Sequence, residues 1–315
     1  EWPGNRMVFT CRSRDYGEPL GLPQVEIEKL GEDRVQDFLG KYLPKNLADE
    51  AWGKLNNSPL LDLVSNPYYL NMLAFIVASS GKWPTNRAAL FDEFAHLLLL
   101  REHNRHHKNW TGVPAMQNAL ATLAESMQPL GEGTRLPRTE IVKRIPKQVM
   151  TPDGEIVLDP KVMLKHALAA TLLDVERGKD EEEERVRFYH HQVQEYFAAQ
   201  ALLKRFAAKE DLSSRWKQPR LKSEMPDPGR LGDFEPLPPP PTTGWEEPTI
   251  LAVGLAPHSS TWIDAIRKVN PSLAARCLAE SGVTLDETTL TNVRADLLND
   301  MRDSRLHLRA RVLAG

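Results

Sequence analysis

Three short stretches of the sequence place a side chain where a folded chain could bind a ligand. Arg12 follows the β-branched and aromatic run at residues 7–10, just past the carboxyl end of a predicted strand, where α/β sheets bind ligands. Pro67 opens an apolar run at a first-turn helix position, and His190 lies where a predicted strand passes into a helix. Each position also has a purely structural explanation: a strand-end arginine, a helix start and a satisfied histidine.

The familiar sequence signatures of catalysis are missing. The sequence contains no G-x-x-x-x-G-K-[ST] loop to cradle phosphates, no G-x-S-x-G, no H-E-x-x-H and no cysteine pair at metal spacing. Its two cysteines, Cys11 and Cys277, lie far apart, which favours a reducing compartment over a disulfide framework. We therefore expect no catalytic residue and no metal site in this chain, and a cytoplasmic location.

Composition and charge narrow the class of protein. A chain of 315 residues with 41% hydrophobic and 26% charged residues suggests about two domains and rules out global disorder. The formal charge of -3 argues against a protein held to nucleic acid or membrane mainly by its global charge. The longest apolar stretch is about 11 residues, whereas a bilayer span needs roughly 20, so we predict no transmembrane helix.

Hydrophobic spacing predicts a mostly helical chain. The predicted helices are residues 31–43, 68–78, 86–102, 114–127, 138–144, 161–170 and 191–206. Short strands are predicted at residues 171–175 and 186–189, with the acidic run 180–184 as the solvated tip between them. Helix, helix, hairpin is the order of a winged-helix domain, so we expect one in the middle of the chain.

Shifts in composition divide the chain into five predicted segments. Residues 1–22 are predicted to end an α/β core, 23–84 to form a helical domain and 85–206 a winged-helix domain. Residues 207–245 are predicted to be a linker. Eight of the chain's 24 prolines lie within this segment, between residues 219 and 241, which is typical of a stiff, extended linker. Paired amphipathic helices predicted over 246–315 are typical of an α-solenoid. Since the sequence starts without methionine inside an apparent strand, we expect it to be part of a longer protein.

Two clusters of titratable residues suggest other chemistry. His103, His106 and His107 contain an i, i+3 pair that could bind a metal, but no carboxylate or cysteine stands at ligand spacing, so a solvated helix end is favoured. Five basic residues between 134 and 147 could face DNA phosphates on a winged helix: Arg135, Arg138, Lys143, Arg144 and Lys147. The neighbouring acidic run would repel the same phosphates.

Taken together, the three stretches resemble the C-terminal half of a NACHT-type signal-transduction NTPase of the STAND group. The most specific part is F-x-H-x-x-x-Q-E-Y-F-A-A at residues 188–199. The strand that ends in Thr10-Cys11-Arg12 resembles the family's sensor-1 strand, and residues 66–70 resemble its N-P-x-x-L helix start. The segment after the linker, at residues 245–255, looks like the beginning of the HEAT-like repeats that often follow a NACHT module.

The resemblance implies nucleotide-binding roles for three residues. Arg12 would be the sensor-1 arginine near the terminal phosphate of ATP, where a fixed guanidinium can tell a triphosphate from a diphosphate. Pro67 would pack against the adenine, and His190 would bind the β-phosphate of ADP, with His191 as a second candidate. The family's cofactors are ATP or ADP with Mg, and its members self-associate and respond to a protein or ligand trigger sensed by the repeats.

The sequence departs from the family because it has neither the Walker A loop nor the Walker B acid. We therefore predict a lid and sensor portion of an ATP/ADP-controlled switch that does not hydrolyse ATP alone. The alternative is a helical scaffold or a winged-helix DNA-binding regulator, which would bind through the basic helix and the repeats. That alternative rests on fold analogy alone.

Overall fold

Helices dominate the computed structural model, as the hydrophobic spacing predicts. The structure describes residues 25, 28–56, 58, 60–105, 108–131, 133–176, 178, 183–217, 242–304, 306 and 308–315. Within these residues the helices are α1 Glu32–Tyr42, α2 Lys45–Leu55, α3 Leu60–Val64, α4 Pro67–Ser80, α5 Arg87–Asn104, α6 Val113–Met127, α7 Arg138–Arg144, α8 Pro160–Ala169, α9 His191–Ala207, α10 Ser213–Trp216, α11 Glu246–Leu255, α12 Ser259–Arg267, α13 Pro271–Glu280, α14 Glu287–Arg302 and α15 Leu308–Leu313.

The strands form two small antiparallel sheets. They are β1 Leu136–Pro137, β2 Gln148–Thr151, β3 Gly154–Val157, β4 Leu173–Glu176 and β5 Arg185–Phe188. One sheet has the order β1-β5-β4, with Leu173 opposite Phe188, and the other is the β2–β3 hairpin. The chain therefore runs through α7, the β2–β3 hairpin, α8 and the β4–β5 hairpin into α9. The predicted order of helix, helix and hairpin is present, with an additional hairpin between the two helices.

Helix α9 packs against α6, α11 and α5 at the centre of the described fold, and the apolar helix α4 packs against α5. Helix α4 begins where Asn66 caps it by accepting a hydrogen bond from the Tyr68 amide at 2.9 Å, and ends at Gly81, whose φ of 67° is left-handed. Helix α9 buries Tyr196 and Phe197 completely. An apolar helix that is covered on most sides has little freedom to shift, so the starts of both helices are held in place by their own cores.

The C-terminal helices pack on this centre. Helix α11 lies against α9 and α5, and α12, α13 and α14 pack on one another in turn. Trp216 of α10 is 3% exposed, and its indole N–H donates to the Thr249 hydroxyl at 3.1 Å. The short helix α10 lies inside the predicted linker at 207–245, so its tryptophan ties the first part of that segment to α11. Residues 218–241 of the linker lie outside the described residues.

An ion-pair cluster also holds the C-terminal helices in place. The Arg87 guanidinium of α5 lies 2.6 Å from a Glu247 oxygen of α11, and the Arg276 guanidinium of α13 lies 2.6 Å from the other oxygen. Burial raises the pKa of the Glu247 carboxyl, but the two arginines and their hydrogen bonds outweigh it and hold this pKa below its ordinary value of 4.5. The charged form of Glu247 therefore stabilises the fold.

Replacing Glu247 with glutamine should lower the free energy of unfolding by about 1–3 kcal/mol at pH 7, because charge-assisted hydrogen bonds are lost. A carboxyl whose pKa is lowered by folding contributes stability above its unfolded pKa and loses it as the pH falls through the folded value. The gap between wild type and Glu247→Gln, measured by urea denaturation, should therefore close below pH 4.5. A gap that stays constant from pH 7 to pH 3 would contradict this assignment. The control is Glu50→Gln, which removes the exposed ion pair between Glu50 and Lys54.

Two findings bear on membranes and metals. Among the described residues, no helix is long and apolar enough to cross a bilayer. The same part of the chain holds no group of three His, Cys, Asp or Glu side chains that could bind a metal ion. His103 of the predicted histidine cluster is exposed near the end of α5, while His106 and His107 lie outside the described residues.

Candidate functional site

The start of α4 meets the start of α9 through two stacked rings. The Tyr68 and His190 ring centroids lie 4.5 Å apart, and the ring planes differ by 24°. Tyr68 directly follows Pro67, the first residue of α4, and His190 directly precedes α9. The fold thus brings the residue after Pro67 against His190, although the two lie far apart in the chain.

His190 has a defined hydrogen-bonding geometry. Its Nδ1 accepts a hydrogen bond from the Gln192 amide at 3.3 Å, so the histidine caps α9 with its own side chain. The His190 carbonyl accepts from the Val193 amide at 3.0 Å and from the Gln194 amide at 3.3 Å. Because Nδ1 is an acceptor, a neutral His190 imidazole carries its proton on Nε2. This nitrogen is the ring atom that can donate to an anion.

The electrostatics of both helix starts favour a negative ligand. A helix N-terminus carries about half a positive charge from its aligned peptide dipoles. Neither α4 nor α9 has an acidic residue in its first turn to compensate for that charge. The contact between Tyr68 and His190 therefore lies between two helix N-termini of the same sign.

Hydrogen bonds below the stacked rings tie the two helices together. The Gln192 side-chain amide of α9 donates to the Tyr69 hydroxyl of α4. The charge of the Arg87 guanidinium acts on the same hydroxyl. Burial raises the pKa of Tyr69, while the Arg87 charge and the hydrogen bonds from Gln192 and Arg87 lower it to a smaller extent. Tyr69 is therefore a buried, neutral acceptor at which α4, α5 and α9 meet.

Tyr68 itself has unused hydrogen-bonding capacity. Its hydroxyl is buried and has no hydrogen-bond partner among the described residues. Burial, followed by the neighbouring Tyr69 and Tyr189 hydroxyls, raises the pKa of Tyr68. Beside Tyr68 lies a cleft of about 280 Å³, which Asn71, Thr171 and Tyr189 also line. Tyr189, at the edge of this cleft, is 58% exposed, so a ligand that contacts the Tyr68 and His190 rings could also contact the Tyr189 ring.

The predicted site residues fall into two groups. Pro67 is exposed as the first residue of α4, and the half-buried His190 caps α9 and contacts Tyr68, the residue after Pro67. Arg12 lies outside the described residues, and its role stays a prediction. His191, the second candidate, lies beside His190 with ring centroids 4.3 Å apart.

Sequence reasoning missed Tyr68, which makes the contact with His190. A signal was present, since Tyr68 follows Pro67 in the quoted N-P-x-x-L stretch, but that stretch suggested a role only for the proline. Tyr69 and Gln192 were also missed. Their hydrogen bond joins residues 123 positions apart, and no local pattern reveals such a pair.

Four of the five predicted basic residues between 134 and 147 lie beside carboxylates. The Arg135 guanidinium lies 2.8 Å from a Glu176 oxygen, and the Arg138 guanidinium lies 2.6 Å from a Glu184 oxygen. Arg144 and Lys143 both face Glu140, at 3.1 Å and 3.9 Å. Arginines engaged with carboxylates are poor partners for DNA phosphates, because the carboxylates repel the phosphates. This arrangement weighs against the DNA-binding alternative.

No protein-family model matches this chain, and a comparison with curated proteins gives no significant match. The likeness to NACHT-type NTPases consequently rests on the short motifs in the sequence. The function must be argued from the geometry of the two helix starts.

Proposed function

We propose that this chain is the lid and sensor portion of a nucleotide-controlled conformational switch of the NACHT type. The supporting observation is the stacking of Tyr68 on His190, because it joins the motif at the start of α4 to the motif at the start of α9. A ligand that contacts both positions would hold the two helix starts in one arrangement. Such a ligand can favour one of two domain arrangements and so act as a switch.

The chemistry of the surface suits a diphosphate. His190 would donate from Nε2 to a β-phosphate oxygen of ADP, and the positive ends of α4 and α9 would favour the same charge. The exposed ring of Pro67 would pack against the adenine. Arg12 would distinguish ATP from ADP at the terminal phosphate, as the family resemblance implies. The nucleotide would carry Mg bound by the Walker residues of a full-length protein.

The rest of the proposal concerns the parts around this surface. The sheet β1-β5-β4 with α7 and α8 would be the winged-helix domain, and α11–α14 would be HEAT-like helices that sense a trigger. The full-length protein would self-inhibit with ADP, oligomerise with ATP and act in the cytoplasm. These assignments follow from the motif resemblance alone.

Calorimetric titration of the purified chain with ADP tests the proposal. We expect weak binding that His190→Ala weakens by roughly 10- to 150-fold, because a hydrogen bond to a charged group contributes about 1.5–3 kcal/mol. His258→Ala is the matched control, since this exposed histidine also precedes a helix but makes no side-chain cap there. ADP binding that is unchanged in His190→Ala, or lost in His258→Ala, would overturn the proposal.

Hydrolysis gives a separate test of the same proposal. Without Walker A and B residues the chain should release no phosphate from ATP above the buffer rate. A colorimetric phosphate assay on the purified chain measures this. Hydrolysis that is detectable and abolished by Arg12→Ala would show that the chain carries an active site of its own.

A further inference from the structure

Arg87 occupies a position between the candidate site and the C-terminal helices. It is the first residue of α5, and its side chain is only 21% exposed. On one side its guanidinium pairs with Glu247 of α11, which Arg276 of α13 also binds. On the other side it lies beside the Tyr69 hydroxyl of α4, with the buried carboxylate of Glu195 on α9 adding a second attractive charge.

Two hydrogen bonds lead on from the Tyr69 hydroxyl to His190. The Tyr69 hydroxyl accepts from the Gln192 side chain, and the Gln192 backbone amide donates to His190 Nδ1. Glu247, Arg87, Tyr69, Gln192 and His190 thus form a polar chain from α11 to the cap of α9. Each member is held by hydrogen bonds or ion pairs in a partly buried setting, where such contacts are stronger than at the surface.

The backbone around Arg87 is clamped by the same C-terminal helices. The side-chain amide of Asn86, the residue before Arg87, donates to the Gly254 carbonyl at the end of α11 at 3.0 Å. A Cβ atom at Gly254 would lie 3.0 Å from the Ala88 Cβ, and one at Gly282, just past α13, would lie 2.8 Å from the Asn86 Cβ. The start of α5 is therefore in direct contact with α11 and with the residue just past α13, and this contact is lost when those helices undock.

We propose that Arg87 couples the docking of α11 and α13 to the position of His190. While the C-terminal helices are docked, Glu247 holds the Arg87 guanidinium beside Tyr69, and Tyr69 and Gln192 hold the cap of α9. A trigger that pulls α11 and α13 away removes Glu247, the partner of Arg87. Arg87 then no longer holds Tyr69 and Gln192 in place, and the first turn of α9 loosens. The role of this coupling as a regulator of nucleotide release rests on the proposed function.

Hydrogen exchange of the whole chain, without nucleotide, measures this coupling. Glu247→Gln keeps the shape of the side chain and removes its charge. It should speed exchange about tenfold or more in α11 and also at the Gln192, Val193 and Gln194 amides, which donate to His190. Glu280→Gln is the matched control, since Glu280 also binds Arg276 but has no contact with Arg87 in the described structure. It should leave the α9 amides unchanged.

Tyr69→Phe removes the middle of the chain of contacts. It should speed exchange at the start of α9 while α11 stays protected. In this background, Glu247→Gln should no longer change the α9 amides, so the two substitutions should be non-additive there. Amides in the core of α6 report global unfolding, so faster exchange of the α9 amides counts as coupling only where it exceeds the change in α6.

Two results would overturn the coupling. If Glu247→Gln speeds exchange in α11 alone, the ion pair docks the helices but does not reach His190. If it changes neither α11 nor α9, the pair does not hold the C-terminal helices at all. A coupling that holds in a chain whose His190 does not bind ADP would refute the proposed function and leave the coupling standing, so the two failures are distinguishable.

Discussion

Replacing Trp216 with alanine should lower the free energy of unfolding by about 3–5 kcal/mol, as large-to-small changes of a buried tryptophan do. The indole packs near Trp262, with ring centroids 6.2 Å apart, and donates to the Thr249 hydroxyl. The backbone carbonyl of Trp216 accepts a hydrogen bond from the Asn270 side chain at 3.0 Å. This one residue therefore ties α10 to α11, α12 and the start of α13.

Urea denaturation with Trp216→Phe as the partner variant separates packing from hydrogen bonding. Phenylalanine keeps most of the ring and loses the N–H donor, so it should cost only about 1–2 kcal/mol. The Thr249 hydroxyl still donates to the Trp245 carbonyl at 2.7 Å in that variant. A loss below about 1 kcal/mol for Trp216→Ala would mean that α10 is not docked on α11 and α12.

Replacing Gly282 with alanine should lower the free energy of unfolding by about 2–5 kcal/mol. The φ of +72° costs an L residue about 1–2 kcal/mol, and the new Cβ would lie 2.8 Å from the Asn86 Cβ. Asn86 cannot easily move aside, because its side chain both caps α5 through the Ala89 amide and donates to the Gly254 carbonyl. Overpacking of this kind adds about 1–3 kcal/mol.

Gly81→Ala is a close control for this substitution. Gly81 has a φ of +67°, but nothing lies within 4 Å of the position where its Cβ would be. It should therefore show the backbone cost of about 1–2 kcal/mol without the clash. Equal losses for Gly81→Ala and Gly282→Ala in thermal or urea denaturation would contradict the close approach between α5 and the end of α13.

Much of the helical framework was predictable because local sequence determines it. The start of α4 follows from Asn66 as a cap and Pro67 at the first position, and the apolar run behind them gives the helix its core. The hairpin β4–β5 was predicted from its β-branched and aromatic runs. In both cases the signal lies within a few residues of the structure it specifies.

Elements with a weak or interrupted pattern were missed. Helix α2 was not predicted. Pro44 follows the predicted helix 31–43 and interrupts the helical pattern, yet it directly precedes the first residue of α2. The β2–β3 hairpin was missed because Met150 and Val157 face solvent, 68% and 77% exposed, which breaks the alternation expected of a half-buried strand. In the second case the exposure of apolar side chains, which the sequence does not show directly, decides the outcome.

The candidate site could be predicted in part. His190 and Pro67 were found because each belongs to a local motif. The contact between Tyr68 and His190, and the ion pair between Arg87 and Glu247 across 160 residues, are products of the tertiary fold. Such pairs depend on how helices pack, and hydrophobic spacing specifies only which face of a helix is buried.

Side-chain NMR of the histidines in the presence of ADP tests the central claim most directly. Of the nine histidine ring signals, that of His190, assigned by its loss in His190→Ala, should shift with ADP and with pyrophosphate. Adenosine, which lacks phosphate, should leave it in place. This result would show that His190 at the start of α9 contacts the phosphates of a nucleotide. An unshifted His190 signal at millimolar ADP, or an equal shift with adenosine, would contradict it.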